Sequence, residues 1–212
     1  GGGALAPETI GKLVGLIVGG GAANHPPSLR RADLTAFARA AMEDETMQSV
    51  LSINLSARNI ADGSRDRLSP DMVRLLEAPF PTHRGMLDRT GSLQRRYAAI
   101  AGLSAEHMVR TDAWRFHDLG RRIERAAATV RATRLFGMPG ANIDDLSTLL
   151  DLANSQISYR QRYLTGIARV PVIDLVALDP GNPRAIAYQT ARISERLGEL
   201  PVLGDDGMAE PQ

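Results

Sequence analysis

Cysteine is absent from this chain, which excludes disulfides and thiolate chemistry. Aromatic residues make up only 4% of the sequence against 43% hydrophobic residues, so any core must be built mainly from Leu, Ile, Val, Ala and Met. Lysine is nearly missing. Of the 25 basic residues only Lys12 is lysine, and the remaining 24 are arginine. No charge of one sign is in excess: the formal net charge is +1. A generic nucleic-acid binder needs a clustered positive surplus, so that class of partner is not expected. No apolar run approaches the roughly 18 residues of a membrane span; the stretch 13–18 is short and broken by Gly15. Neither a spanning helix nor a signal peptide is evident, and the cytoplasm is the expected location. Strand-like alternation is missing after residue 30, and no hairpin dipeptide stands out.

What remains is helical periodicity. The 212 residues suit one sizeable domain with an arm. Residues 1–30 read as a Gly/Pro-rich arm expected to make few contacts. Its triple glycine is followed by no Gly-Lys-Ser/Thr and no Gly-x-Gly-x-x-Gly spacing, so it is not read as a phosphate loop. From residue 33 onward the spacing predicts helices over 33–42, 43–67, a short one starting at Ser69-Pro70-Asp71, 86–109, 114–134, 142–164 and 184–200. Ser69 and Asn142 are capping residues, with proline or acids in the following first turn. Asn182-Pro183 repeats the cap-then-proline start. Gly137 and Pro139 end the helix before them. The expected fold is all-α: an antiparallel bundle of six or seven helices over 31–204, with a frayed tail at 205–212.

The segment 114–134 organises this reading. At about 100° per residue, Phe116, Leu119, Ile123, Ala126, Ala127 and Val130 form one face and are expected in the core. The opposite face carries Trp114, the only tryptophan, with His117, Arg121, Glu124, Arg125, Ala128 and Ala132. A large aromatic beside small alanines suggests a second packing contact. A helix covered on both sides while holding Glu and Arg is central to a bundle or lines a polar site; the plainer alternative is a wet face with local Arg121/Glu124 pairing.

The common catalytic arrangements are missing. There is no His-Glu-x-x-His, no glutamate with a histidine three residues on, and no Gly-x-Ser-x-Gly elbow. No metal or cofactor is expected. Instead there are groups of polar residues at helical spacing: Arg121, Glu124 and Arg125; Tyr159, Arg160, Arg162 and Tyr163; Arg58, Arg65, Asp66 and Arg67; and Asn182, Arg184 and Gln189. Structurally, arginines pair acids across helices and tyrosines anchor packing edges. Functionally, convergent arginines suit bidentate recognition of carboxylate or phosphate. Arg160 interrupts the apolar stripe of the 142–164 helix. It is expected to be buried and to bond to an acid on the 114–134 helix, Asp118 on height or Glu124 on motif.

Four of these motifs, in order, resemble one bacterial family. Trp114-Arg115-Phe116 with Leu119-Gly120-Arg121-Arg122-Ile123-Glu124-Arg125-Ala126 resembles the signature of the Alpha-E domain family. Ser158-Tyr159-Arg160-Gln161-Arg162-Tyr163 is similar to its Tyr-Arg-x-x-Tyr helix. Asp179-Pro180-Gly181-Asn182-Pro183-Arg184 with Gln189 is similar to its Asn-Pro-Arg turn, and Arg65-Asp66-Arg67-Leu68-Ser69 matches its Arg-Asp-Arg-(Leu/Ile)-Ser segment. Asn154-Ser155 stands where the family usually has Asp-Ser, and Arg58-Asn59-Ile60-Ala61-Asp62 keeps only the first residue of Arg-Glu-Asn-Ala-Arg. The motifs span roughly 45–200 and look like the C-terminal part of the family's pattern.

The resemblance implies an accessory helical domain without established activity, found beside or fused to circularly permuted ATP-grasp ligases and transglutaminase-like proteins. The implied role is docking such a ligase or presenting a peptide or amino-acid acceptor. Trp114, Arg121, Glu124, Arg125, Tyr159, Arg160, Tyr163, Asn182, Arg184 and Arg65 are the contact candidates. Alternatives are a purely structural bundle, or an amide-bond enzyme with Glu124 as general base, though the flanking arginines would push its pKa down and so favour a paired, non-catalytic role. Lacking a phosphate loop and clustered metal-binding carboxylates, this chain is expected neither to hydrolyse ATP nor to bind it with micromolar affinity. Calorimetry with Mg-ATP checks this; a micromolar isotherm contradicts it.

Overall fold

A computed structural model describes residues 4–19, 30–45, 48–82, 85–164 and 166–200. All regular structure among them is helical. Ten α-helices appear: α1 (Pro7–Gly19), α2 (Arg31–Glu43), α3 (Val50–Asp62), α4 (Pro70–Glu77), α5 (Met86–His107), α6 (Asp112–Phe136), α7 (Ile143–Leu152), α8 (Gln156–Arg162), α9 (Arg169–Ile173) and α10 (Ile186–Gly198). A 3-10 turn covers Arg65–Arg67, and α9 runs into a π turn over Asp174–Leu178. The all-α expectation holds, with ten helices where six or seven were expected. Among the described residues no helix is long and apolar enough to cross a membrane. The chain divides into two compact units, residues 1–109 and 110–212.

In the first unit, part of the expected arm is a helix. Val14 of α1 is 5% exposed and packs on Phe37 of α2, with Val18 and Leu34 beside them. Residues 20–29 lie outside the described residues. The single helix expected over 43–67 is only α3. Its start is set by Ser49, whose hydroxyl accepts the Ser52 amide at 3.1 Å. Ser69 caps α4 as its Ser-Pro-Asp sequence predicts, accepting the Met72 amide at 3.3 Å. The α4 C-terminus is closed from α5: Arg96 donates to the carbonyls of Ala78 at 3.0 Å and Pro79 at 2.7 Å.

In the second unit, α6 and α10 run antiparallel, because Asp118 meets Arg196 while Thr129 meets the Arg184 carbonyl. The apolar core gathers Phe136, Leu146, Leu149, Leu150, Val172, Leu175 and Val176. Asn142 caps α7 with a reciprocal capping box to Asp145. Gly181-Asn182-Pro183 forms a turn, and α10 begins only at Ile186; Asn182 therefore closes the turn instead of capping the helix. Its Oδ1 accepts the Arg184 amide at 3.0 Å. The tail at 205–212 lies outside the described residues.

Two register expectations are corrected. The helix expected over 142–164 breaks at Ala153-Asn154, where Asn154 takes a left-handed φ of 48°. The break resets the helical phase. Tyr159 takes the buried position at 2% exposed, and Arg160 is exposed and pairs with no acid among the described residues. On α6, the expected core face is only partly right: Leu119 and Ala126 are buried as expected. Phe116, Ile123 and Val130 are 58%, 47% and 36% exposed. The buried residues are Asp118, Leu119, Ala126, Thr129, Ala132 and Phe136, a face rotated by roughly a third of a turn. The physical reason is that α10 meets α6 with polar groups that match a carboxylate and a hydroxyl, so the polar stripe becomes the inner one.

Gly137 follows α6 at a close approach. A Cβ built there would lie 2.5 Å from Ile173 Cδ1 and 2.8 Å from the Thr133 carbonyl oxygen. The Gly137 carbonyl also accepts from Arg169 at 2.8 Å. Gly137→Ala is expected to destabilise by roughly 1–3 kcal/mol, a fall in Tm of several degrees. Gly120→Ala is the internal control. It lies within α6 with no atom within 4 Å of its would-be Cβ, so it should stabilise by about 0.5–1 kcal/mol. Urea or thermal unfolding of both variants measures the contrast.

Candidate functional site

Asp118 is the centre of the polar face between α6 and α10. Its carboxylate is 1% exposed, and an isolated charge buried so deeply costs several kcal/mol. Three guanidiniums offset that cost. Arg121, one turn on, donates to Oδ1 at 2.6 Å; Arg122 donates to Oδ2 at 2.7 Å; and Arg196 reaches across from α10 to Oδ2 at 3.0 Å. Burial alone would raise the Asp118 pKa, but these three bonds hold it at about 2. Arg196 also donates to both carboxylate oxygens of Glu199 at 2.8 Å. Burial opposes its charge, while the bonds to Asp118 and Glu199 raise its pKa.

Trp114 completes this end of the helix pair. The Arg196 guanidinium lies 4.8 Å from its ring centroid and that of Arg110 lies 4.2 Å away, within cation–π range. The second contact that Trp114 suggested is thus with the arginine that holds Asp118.

Toward the middle of the pair the balance changes. Arg125 is half-buried, and burial, followed by the charges of Arg184, Arg121 and Arg122, lowers its pKa. A guanidinium nevertheless stays protonated, so Arg125 sits in a positive field that Asp118 offsets only in part. Neither Arg125 nor Arg184 pairs with an acid among the described residues. The Arg184 backbone is fixed: its carbonyl accepts from the Thr129 hydroxyl at 3.3 Å and its amide is held by Asn182. Gln189 on α10 is fully buried, donates to the Pro183 carbonyl, and leaves its Oε1 without a partner.

The α8 residues do structural work. The Tyr159 hydroxyl donates to the Gly166 carbonyl at 3.2 Å and accepts the Ala168 amide at 3.1 Å, tying down the segment before α9. Tyr163 donates to Asp174 at 2.6 Å, a bond that raises its pKa. Arg162 donates to Asp179 at 2.6 Å. Asn182 is buried and donates to Ser155 Oγ at 3.1 Å and the Leu175 carbonyl at 2.8 Å. In the first unit, Arg65 pairs with Asp62 at 3.3 Å and with Glu77, linking the 3-10 turn to α3 and α4.

Of the ten sequence candidates, then, Trp114, Arg121, Arg125 and Arg184 gather on the α6–α10 face. Glu124 is exposed on α6 and pairs with no arginine among the described residues. Tyr159, Tyr163 and Asn182 lock the turns around α8, Arg160 is in solvent, and Arg65 pairs with Asp62 and Glu77 in the first unit. Asp118, Arg122 and Arg196 were missed as site residues. A usable signal was present: Asp118 precedes arginines at three and four residues, the spacing of neighbours on one helical face.

An all-helical protein whose inner polar face joins one aspartate to arginines from two helices is the class these features define. The chain belongs to the Alpha-E family, described as a predicted alpha-helical domain with a conserved ER motif, which matches residues 13–212. The match is thus not confined to the C-terminal pattern over 45–200. The sequence contains two Glu-Arg pairs, Glu124-Arg125 on α6 and Glu195-Arg196 on α10. An uncharacterized protein of Mycobacterium bovis is 28% identical over 230 residues, covering 96% of this chain and 25% of that protein. Uncharacterized proteins from two strains of Mycobacterium tuberculosis are 28% and 27% identical with the same coverage. The chain spans about a quarter of the length of these curated relatives. No solved structure matches it.

Asp118 makes stability depend on acid. Its folded pKa of about 2 lies below the unfolded value of about 3.9. The contribution is therefore fully present above pH 4 and is lost as pH falls through about 2. Allowing for solvent screening, it is worth roughly 1–2 kcal/mol. Asp118→Asn should flatten the acid limb of a stability–pH profile between pH 4 and 2. Asp118→Ala should cost more, about 3–5 kcal/mol, because it strands Arg122 and Arg196. A pH profile for Asp118→Asn that matches the parent would contradict this assignment.

Proposed function

We propose that this chain is an accessory helical domain of an ATP-grasp-type amide or peptide ligase system, holding a carboxylate-bearing acceptor peptide for the ligase. The single observation that carries this reading is the contrast along α6 and α10. Arg121, Arg122 and Arg196 are committed to Asp118, whereas Arg125 and Arg184 repel each other and form no ion pair among the described residues. An incoming carboxylate relieves that repulsion and accepts charge-assisted hydrogen bonds in one step. The ligase setting, with a transglutaminase-like protein as a further partner, comes from the family resemblance.

The role is binding, not catalysis. A general base needs a reacting proton within reach in a site that positions it; Glu124 lies exposed on α6. A ligand-free structural bundle is supported by Tyr159, Tyr163 and Asn182, whose polar groups are satisfied inside the fold; it leaves Arg125 and Arg184 unexplained.

Titrating the chain with a short peptide bearing a free C-terminal carboxylate, and with its C-terminal amide, tests the proposal. The free acid is expected to bind at least about tenfold more tightly, and the Arg125→Gln/Arg184→Gln variant is expected to abolish the difference. Equal binding of acid and amide sinks the carboxylate reading. Failure of the chain to bind a purified ATP-grasp ligase in a pull-down sinks the ligase setting separately.

A further inference from the structure

The first unit contains a cavity that the α6–α10 face does not account for. It has a volume of about 650 Å³ and opens between α2 and the start of α5. Arg31, Arg39 and Glu43 line it from one face of α2, at steps of eight and four residues, which is the helical repeat of a single stripe. Leu34 and Met86 add apolar wall, and Arg89 lines it from α5.

Arg89 is unusual for a cavity wall. It is only 7% exposed, and buried arginines need partners for their five N–H donors. One of its terminal nitrogens donates to Glu43, and the guanidinium lies 5.8 Å from the Phe80 ring centroid. Its Nε and its other terminal nitrogen are buried and have no hydrogen-bond partner. These two nitrogens form the guanidinium edge that grips an oxyanion with two parallel hydrogen bonds. Both are also shielded from bulk water, so an anion reaches them with a shift of the lining side chains. Arg31 and Arg39 are exposed at the rim and pair with no acid among the described residues. Among the described lining residues, three arginines stand against one glutamate, two positive charges in surplus.

We infer that this cavity binds a small, doubly charged oxyanion, with Arg89 as the bidentate anchor and Arg31 and Arg39 as the electrostatic collar. The volume lies in the range of small-molecule sites, and the surplus charge matches a dianion. Leu34 and Met86 accommodate a short apolar body carried by it. The shared chemistry belongs to phosphate monoesters and to short dicarboxylates. This site is separate from the Arg125/Arg184 reading and does not depend on it.

Isothermal titration of the whole chain at low ionic strength with inorganic phosphate, phenyl phosphate and glutarate tests the inference. At least one probe is expected to saturate a single site per chain at about millimolar affinity or tighter. Saturation by the phosphates alone identifies a tetrahedral phosphate ligand, and saturation by glutarate alone identifies a dicarboxylate. Arg89→Lys, which keeps the charge and loses the bidentate edge, should weaken binding at least about tenfold. Arg31→Glu/Arg39→Glu changes only exposed rim residues and should weaken it similarly with an unchanged circular dichroism spectrum. Arg125→Gln/Arg184→Gln should leave it unaltered. No saturable binding by any probe overturns the inference, as does binding that survives both the Arg89→Lys and the rim variant.

Discussion

A carboxylate removed from water must be paired, and much of the second unit follows from that constraint at Asp118. Two of its arginines come from its own helix, but those alone would leave the α6 face charged and unable to pack. The third arginine has to come from a neighbour, and Arg196 supplies it from α10. That contact, with the Thr129–Arg184 contact further along, fixes both the antiparallel direction and the register of the two helices. Arginine suits the task in a way lysine does not: it can grip Asp118 and Glu199 while its flat face lies over Trp114. The near-absence of lysine from the sequence is consistent with a fold that uses planar, multidentate cations in semi-buried places.

Satisfied and unsatisfied polar groups separate architecture from recognition. Tyr159, Tyr163, Asn182 and Arg162 reach partners within the fold at ordinary hydrogen-bond distances and hold short helices that are too brief to persist alone. Their role is to shape the turn from which α10 departs, and so to place Arg184 opposite Arg125. The two Glu-Arg pairs illustrate the same division. Arg196 is absorbed by Asp118 and Glu199, whereas Arg125 on the facing helix forms no ion pair among the described residues. In the first unit the same logic marks Arg89, a buried guanidinium with one edge engaged and the other idle.

The sequence by itself determined the fold class. Helical periodicity, the absence of alternation, and capping residues such as Ser69 and Asn142 act within one turn of the chain, so they are legible locally. It also gave the family, through motifs that stand in order along the chain. Only the tertiary structure decided which face of α6 is the inner one. A hydrophobic count selects Phe116, Ile123 and Val130, but burial follows what the partner offers, and α10 offers Arg196 and the Arg184 carbonyl to Asp118 and Thr129. Tertiary context also set the phase of α8. A single left-handed residue, Asn154, breaks a helix whose apolar spacing continues past it to Ile157, exchanging Arg160 for Tyr159 in the core. Arg196 lies 78 residues from Asp118 in the chain. No local pattern reports a partner at that separation, because the pairing is enforced by the cost of a buried charge and not by any preference of the intervening chain.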